Sequence, residues 1–229
     1  MPEAFEPSPA SQVDLRRAQA SAQARRAAAL ADLLFTQRCK VFALLDAARD
    51  SHVVRLLEQG DCEYACLYKG QAAETYKAYA PYFVKLARDA HVTTALLTQG
   101  WGQSTGYFFG SLANEGSIHT HLRKFLFATL PSGKRAYFRF YDPRVIRVFL
   151  PNCKQPQLDD FFRDELDWIL VEDPDPAFAL VYGRPTAAEL NLLGLDTRLT
   201  FSRIDLDRET MNSHTDQEPT HHANRPATV

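Results

Sequence analysis

Short segments with strand and helix periodicity alternate along most of this 229-residue chain, and this alternation is the strongest constraint on its fold. An unbroken apolar run over residues 41–46 predicts a buried strand, because a strand covered on both faces has no polar side. Helical spacing follows at residues 51–59, where Val53, Leu56 and Leu57 share one face. Further strands are predicted at residues 62–68, 81–86, 107–112, 136–141, 168–172 and 178–182, and further helices at residues 91–99, 117–126, 143–150 and 157–165. The alternation predicts an α/β domain whose sheet is covered by helices.

The predicted sheet is mixed. Its last two strands are joined by residues 173–176, a connection too short for a parallel crossover, so these strands are expected to pair antiparallel. The chain is therefore divided into four parts: an N-terminal helical extension (1–39), the α/β domain (40–183), a short helical segment (184–204) and a disordered tail (205–229).

The two ends of the chain differ in composition from the α/β domain. Residues 11–36 are rich in Ala, Arg and Gln and contain no Gly or Pro, which favours a helix anchored at its end by Leu30, Leu33 and Leu34. Its basic surface is either a solvated helix face or a partner-binding face. A further helix is predicted at residues 186–193. Beyond Arg203, large apolar side chains are too few to offset the entropy lost on ordering.

The segment of residues 136–151 changes period in its middle. Strand-like alternation gives way at Asp142, which suits an N-cap, and Pro143 suits the first helical position because no donor is needed there. Pro151 is expected to end the helix. Arg139, Tyr141, Asp142 and Arg144 therefore gather at the C-terminal end of a predicted strand, where binding groups tend to lie in open α/β sheets.

Motifs for catalysis are incomplete. Residues 102–106 match the G-x-S-x-G nucleophile elbow, but a helix is predicted before the serine and a strand after it, which is the reverse of the order that exposes the hydroxyl. The same glycines do not spell a dinucleotide fingerprint. A flexible loop with Trp101 packed on the body explains the segment, so no catalytic residue and no cofactor are predicted.

Carboxylates after the first strand leave three interpretations open. Asp46, Arg49 and Asp50 could serve acid–base catalysis, partner binding or structure, with Asp50 capping the next helix and Asp46 paired with Arg49 or Arg144. The enzymatic alternative is a small α/β hydrolase or transferase that uses Asp46, Ser104 or Asp142.

Metal, nucleic-acid and membrane functions are disfavoured. The four cysteines, at positions 39, 62, 66 and 153, are irregularly spaced and are expected to be reduced, buried thiols. His119 and His121 lie two residues apart on a predicted helix and do not share a face, so no metal site is predicted. A net charge of −2 argues against general binding of nucleic acid or anionic membranes. With no apolar leader and no membrane-spanning run, a cytoplasmic location is expected.

Six blocks of sequence, in their order along the chain, resemble a known family. The longest is FRFYDPRVIRVFLPNC at residues 138–153, and the others are LLDAARD (44–50), CLYKG (66–70), APYFV (80–84), GWGQSTG (100–106) and VEDP (171–174). Together they resemble the type VI secretion effector-adaptor domain, a bacterial chaperone-like family. The resemblance covers about residues 40–183 and neither end of the chain.

This resemblance implies a non-enzymatic adaptor that holds a toxic effector by its N-terminal region and passes it to the VgrG spike. We expect the chain to be a monomer before complex formation. Arginine beside tyrosine is typical of interface hot spots, although internal ion pairs would explain the same residues. The residues predicted to contact a partner are Arg139, Tyr141, Asp142, Arg144, Trp101, Asp46 and Arg49.

Overall fold

The computed structural model describes residues 9–130, 132–184 and 199–208. Seven helices are present in these residues, together with short helical turns at Lys77–Tyr79, Leu96–Gly100 and Arg123–Leu126. The helices are α1 (Pro9–Phe35), α2 (His52–Gln59), α3 (Gln71–Thr75), α4 (His91–Ala95), α5 (Glu115–Leu122), α6 (Pro143–Asn152) and α7 (Gln155–Phe162). The strands are β1 (Lys40–Asp46), β2 (Tyr64–Cys66), β3 (Pro81–Leu86), β4 (Gly106–Ser111), β5 (Phe127–Thr129), β6 (Arg135–Tyr137), β7 (Trp168–Glu172), β8 (Phe178–Gly183) and β9 (Thr200–Asp205).

Seven strands form one sheet in the order β2-β3-β1-β4-β7-β8-β9, and β5 pairs with β6 in a separate hairpin. The predicted α/β class and N-terminal helix are confirmed, but the prediction of a mixed sheet is wrong, because every described strand pairing is antiparallel. Strand β1 and strand β2 do run in the same direction on either side of α2, as do β3 and β4 around α4. However, β3 lies between the first pair and β1 between the second, so no parallel strands are neighbours.

Two apolar cores lie on opposite faces of this sheet. One contains Phe42, Phe109 and Ile169 beneath α5, α6 and α7. The other contains alternate residues of the same strands, such as Ala43 and Phe108, beneath α1, α2 and α4. Leu30 and Leu34 of α1 are fully buried there, which confirms that the N-terminal helix is anchored at its C-terminal end.

The predicted strand at residues 136–141 is mostly wrong. Only Arg135–Tyr137 is extended, and it pairs with β5 rather than with the main sheet. Phe138 and Phe140 continue the apolar alternation, but they pack between helices, with ring centroids 4.9 Å from Phe149 and 6.2 Å from Phe161 respectively. The apolar alternation therefore reflects burial of aromatic rings among helices and not a place in the sheet. Pro151 lies within the last turn of α6, one residue before the helix ends.

Side chains at the starts of α2 and α5 accept hydrogen bonds from the first backbone N–H groups of these helices. Asp50 accepts a hydrogen bond from the backbone N–H of His52 at the start of α2, as its structural interpretation predicts. Asn114 caps α5 by accepting a hydrogen bond from the N–H of Ser117 at 2.8 Å.

The C-terminal region contains a strand where a helical segment and a tail were predicted. Residues 200–205 form β9, which pairs with β8 at the edge of the sheet. Leu206 is 3% exposed, and Arg26 of α1 forms an ion pair with Asp207 at 2.5 Å, so the ordered chain extends beyond residue 205. The predicted helix at 186–193 and the remaining tail, 209–229, lie outside the described residues. In the described ranges, none of the helices combines the length and apolar character that crossing a membrane requires.

Candidate functional site

Four of the predicted contact residues form a chain of alternating charge at one end of the sheet. Asp46 ends β1 and binds Arg139, which follows the hairpin. Nη2 of Arg139 lies 4.0 Å from Oδ2 of Asp142, the N-cap of α6. Arg144 closes the chain with two hydrogen bonds to the Asp142 carboxylate, of 3.0 Å from Nε and 2.6 Å from Nη2. We call these four side chains the charge cluster: Asp46, Arg139, Asp142 and Arg144. The charge cluster links the end of β1 to the start of α6.

Both carboxylates of the charge cluster are buried, whereas the arginine side chains are 38% and 48% exposed. Burial raises the pKa of Asp46, and the hydrogen bond from Arg139 opposes this only in part. Burial also raises the pKa of Asp142, but hydrogen bonds from the Arg144 side chain and backbone outweigh it, so the net shift is downward. The two carboxylates thus have opposite pKa shifts although they share Arg139.

The oxygens of the charge cluster are already occupied. Asp46 accepts from the N–H of Ala48 through Oδ1 and from Arg139 through Oδ2. Asp142 accepts from the N–H of Arg144 through Oδ1, which confirms its predicted role as an N-cap. To accept a proton from a substrate, either carboxylate would have to break one of these hydrogen bonds. The arrangement suits a structural brace with two exposed guanidinium edges.

The other predicted contact residues lie around this cluster in different environments. Tyr141 is 1% exposed and belongs to the core, so its predicted place on a contact surface is wrong. Arg49 is exposed, and its backbone N–H donates to the backbone carbonyl of Asp46. The carboxylate of Asp46 pairs with Arg139, and not with Arg49 or Arg144 as predicted. The ring of Trp101 packs on Phe108 and donates from Nε1 to the carbonyl of Pro176 at 2.8 Å.

The loop of residues 101–105 is held by a carboxylate that sequence reasoning missed. Glu172, at the end of β7, is 4% exposed and accepts from the N–H of Gly102 at 2.7 Å. It also accepts from the N–H and the Oγ of Ser104, each at 2.9 Å. These contacts hold Gly102 at φ 82° and Ser104 at φ 56°, a conformation unusual for a residue with a side chain. The loop is therefore clamped and not a nucleophile elbow, since a helical turn precedes it and β4 follows it.

Glu172 also connects this loop to the charge cluster. Arg147 of α6 donates to the backbone carbonyl of Glu172 at 2.6 Å, and the N–H of Asp46 donates to the carbonyl of Thr105 at 2.8 Å. Strands β1 and β7 run in the same direction, so Asp46 and Glu172 reach the same end of the sheet. An acid ending an otherwise apolar strand, in the sequence WILVE, was the signal available for Glu172.

A family model described as a domain of unknown function, DUF4123, matches residues 41–160, just over half of the chain. The chain belongs to this family. The DUF4123 family is associated with type VI secretion effector adaptors. The match includes the whole charge cluster, whereas Glu172 and strands β7 to β9 lie beyond it. Searches of curated proteins and of solved structures gave no match.

Two histidines of this DUF4123 chain contact backbone carbonyls, and its four cysteines form no disulfide. The four cysteines are unpaired and half-buried, and burial raises the pKa of Cys66 and Cys62. His119 Nε2 lies 2.9 Å from the carbonyl oxygen of Cys66, and buried His121 Nε2 lies 2.8 Å from that of Phe161. Within residues 9–130, 132–184 and 199–208, no group of three or more His, Cys, Asp and Glu side chains is placed to hold a metal. His214, His221 and His222 lie outside these ranges.

The DUF4123 chain also carries an aromatic groove of about 510 Å³ near the short edge strand β2. Its walls come from the segment after β2, from the turn Arg123–Leu126 and from the hairpin β5–β6. These segments are far apart in sequence, and none has an unusual composition by itself, so sequence reasoning missed the groove. Its lining residues are Tyr68, Lys69, Ala72, Tyr76, Tyr79, Arg123, Leu126, Phe127 and Tyr137.

Proposed function

We propose that this chain is a non-enzymatic adaptor that binds a type VI secretion effector by its N-terminal region and delivers it to the VgrG spike in the bacterial cytoplasm. The observation that carries the proposal is the family match over residues 41–160. The ordered blocks of sequence support it, because the longest of them contains α6 and all of the charge cluster except Asp46, which lies in the block at residues 44–50.

The polar groups at the end of the sheet support binding more than catalysis. Each carboxylate that could act as a base already accepts hydrogen bonds from an arginine or from backbone N–H groups, and the hydroxyl of Ser104 donates to Glu172. General acid–base catalysis needs such a group within reach of a substrate proton. The guanidinium edges of Arg139 and Arg144 are the exposed part of this region, and they suit hydrogen bonding to carboxylates or carbonyls of a partner.

The test is affinity purification of the tagged full-length chain from its native cell, followed by identification of bound proteins by mass spectrometry. We expect a spike component and a secreted effector, and we expect the effector to be poorly soluble or poorly secreted without the adaptor. Recovery of neither partner, together with turnover abolished by Ser104→Ala, Asp46→Asn or Asp142→Asn, would overturn the proposal.

A matched pair of arginine variants tests the place of contact. Arg144→Ala should weaken effector capture about thirtyfold if Arg144 is a hot-spot residue. Arg88 is the control, since its side chain is 46% exposed, pairs with Asp32 and lies against α1 on the opposite face of the sheet. Arg88→Ala should leave capture unchanged. Equal effects of the two substitutions would show that the charge cluster is not the contact surface.

A further inference from the structure

The aromatic groove beside β2 concentrates exposed aromatic side chains. Six large aromatic side chains in the described part of the chain are exposed, and four of them line this groove, with exposures from 42% to 63%. Isolated exposed apolar residues are ordinary on protein surfaces, but a contiguous group of this kind marks an interaction site. The four are Tyr76, Tyr79, Phe127 and Tyr137.

The Tyr137 side chain, which forms one wall of the groove, is held in place by contacts with neighbouring aromatic residues. Its hydroxyl accepts a 3.1 Å hydrogen bond from buried Tyr141 and is hydrogen-bonded to the hydroxyl of Tyr68. Its ring packs edge-on against Phe127 with centroids 5.4 Å apart. The rings of Tyr68, Tyr137 and Phe127 therefore form an ordered wall, and they lose little side-chain entropy when a partner binds.

The groove is basic as well as aromatic. Nε and Nη1 of Arg123 are buried, and no described residue accepts a hydrogen bond from either atom. Lys69 also lines the groove, and the guanidinium of Arg135 lies 4.5 Å from the ring centroid of Phe127. None of the described lining residues is acidic. Buried guanidinium donors are normally paired with an acceptor. Arg123 lacks such an acceptor among the described residues, and a bound partner can supply one.

We propose that this groove binds an extended segment of the effector in which aromatic or aliphatic side chains stand next to Asp or Glu. The apolar side chains would pack between the tyrosines, and a carboxylate would accept from Arg123. This proposal rests on the adaptor function proposed above and adds a second contact surface, separate from the charge cluster. It assigns a specific chemistry to the captured segment.

An acidic peptide fits this groove better than single-stranded nucleic acid, which also binds to basic aromatic surfaces. Nucleic-acid grooves follow the phosphate backbone with a track of cations. Here the cations lie around a single groove of about 510 Å³, and the whole chain carries a net charge of −2. An oligonucleotide is therefore the competing ligand in the test.

Fluorescence anisotropy with the full-length chain gives the direct test. The probe is a labelled peptide in which Phe and Leu alternate with Asp and Glu. We expect saturable binding that Tyr79→Ala or Arg123→Gln weakens roughly tenfold or more. Phe201→Ala is the control, because Phe201 is 56% exposed on β9 at the opposite edge of the sheet. Tyr79 is 63% exposed, so its truncation should leave the fold intact even if Arg123→Gln does not.

Four results would overturn the proposal. The first is no binding of the acidic peptide, and the second is equal binding of a peptide with Lys at the acidic positions. The third is tighter binding of labelled oligothymidine that the groove substitutions abolish. Weakening by Phe201→Ala to the same degree as by Tyr79→Ala would also place the peptide outside the groove.

Effector capture separates failure of the groove from failure of the adaptor function. With an identified effector, a photo-crosslinking amino acid at Tyr79 should label a segment rich in acidic and apolar residues, whereas the same group at Phe201 should not. If Tyr79→Ala and Arg123→Gln both leave capture unchanged, the groove proposal fails while the adaptor function stands. If the unaltered chain captures no effector, the adaptor function fails, and with it the proposed occupant of the groove.

Discussion

Replacing Glu172 with Gln should destabilise the fold although the two side chains have nearly the same shape. The carboxylate of Glu172 faces donors only, because Oε2 accepts from the N–H of Gly102 and Oε1 accepts from the N–H and hydroxyl of Ser104. An amide has one oxygen and one NH₂ group. In either orientation the NH₂ group of Gln faces a backbone N–H, so at least one hydrogen bond is replaced by two donors in contact.

The size of the effect follows from the number of bonds lost. A hydrogen bond to a charged group contributes about 1.5–3 kcal/mol, and an unpaired buried donor costs about 1–3 kcal/mol. Gly102 is exposed, which lets water reach its N–H and places the estimate toward the lower end. We therefore expect Glu172→Gln to lower the free energy of unfolding by about 2–4 kcal/mol, and each kcal/mol corresponds to about 2–4 °C in melting temperature for a chain of this size.

Urea unfolding followed by circular dichroism measures this change. Glu115→Gln is the matched control, since Glu115 is an acid paired with Lys40 and Lys85 at the surface, and its loss should leave the midpoint nearly unchanged. If Glu172→Gln stays within about 0.5 kcal/mol of the unaltered chain, then the carboxylate is not the clamp of the loop and the assigned pattern of donors is wrong.

Three further changes test other parts of the structure. Asp142→Ala should cost about 0.5–2 kcal/mol of unfolding free energy in urea titration, whereas Asp142→Asn should keep the cap. Because hydrogen bonds from Arg144 lower the pKa of Asp142, the stabilisation from this pair is present above the ordinary aspartate pKa and is lost as the pH falls. Asp142→Asn should therefore make the free energy of unfolding depend less on pH in the acid range. Ending the chain after Arg208 should shift the melting temperature by a few degrees at most, whereas ending it before β9 should cause a large loss. Gly106→Ala should cost about 1–3 kcal/mol or more, because the new Cβ would lie 2.2 Å from a β1 carbonyl, whereas Gly116→Ala should be neutral or stabilising by thermal melting.

Local features of the fold could be predicted where one sequence pattern has one structural cause. The unbroken apolar run of β1 and the Pro81–Leu86 run of β3 are buried on both faces, and both strands begin and end within a residue of their predicted bounds. The Asp142–Pro143 start of α6 could be predicted because capping depends on neighbours in sequence. The same is true of the antiparallel pair β7 and β8, whose short connection excludes a crossover.

Features that depend on distant parts of the chain could not be predicted in this way. The order of strands in the sheet is set by which faces fit together, so the insertion of β3 between β1 and β2 leaves no local signal. The edge strand β9 is exposed along most of its length, and its sequence TFSRID therefore lacks the apolar content of a buried strand. Residues 138–140 show the opposite problem, because aromatic side chains packed among helices imitate the alternation of a strand.

The charge cluster and the aromatic groove differ in whether their arginines already have a hydrogen-bond acceptor. At the charge cluster each guanidinium already pairs with a buried carboxylate, so a partner would supply only a second acceptor at the exposed edge of the guanidinium. In the groove, Arg123 has no acceptor among the described residues, and a partner's carboxylate would supply the first. Truncating Arg139 removes the pairing of buried Asp46 and should reduce stability, whereas truncating Tyr79 removes only exposed surface. Truncation of Tyr79 should therefore weaken capture at unchanged stability, whereas truncation of Arg139 in the charge cluster should lower the free energy of unfolding as well.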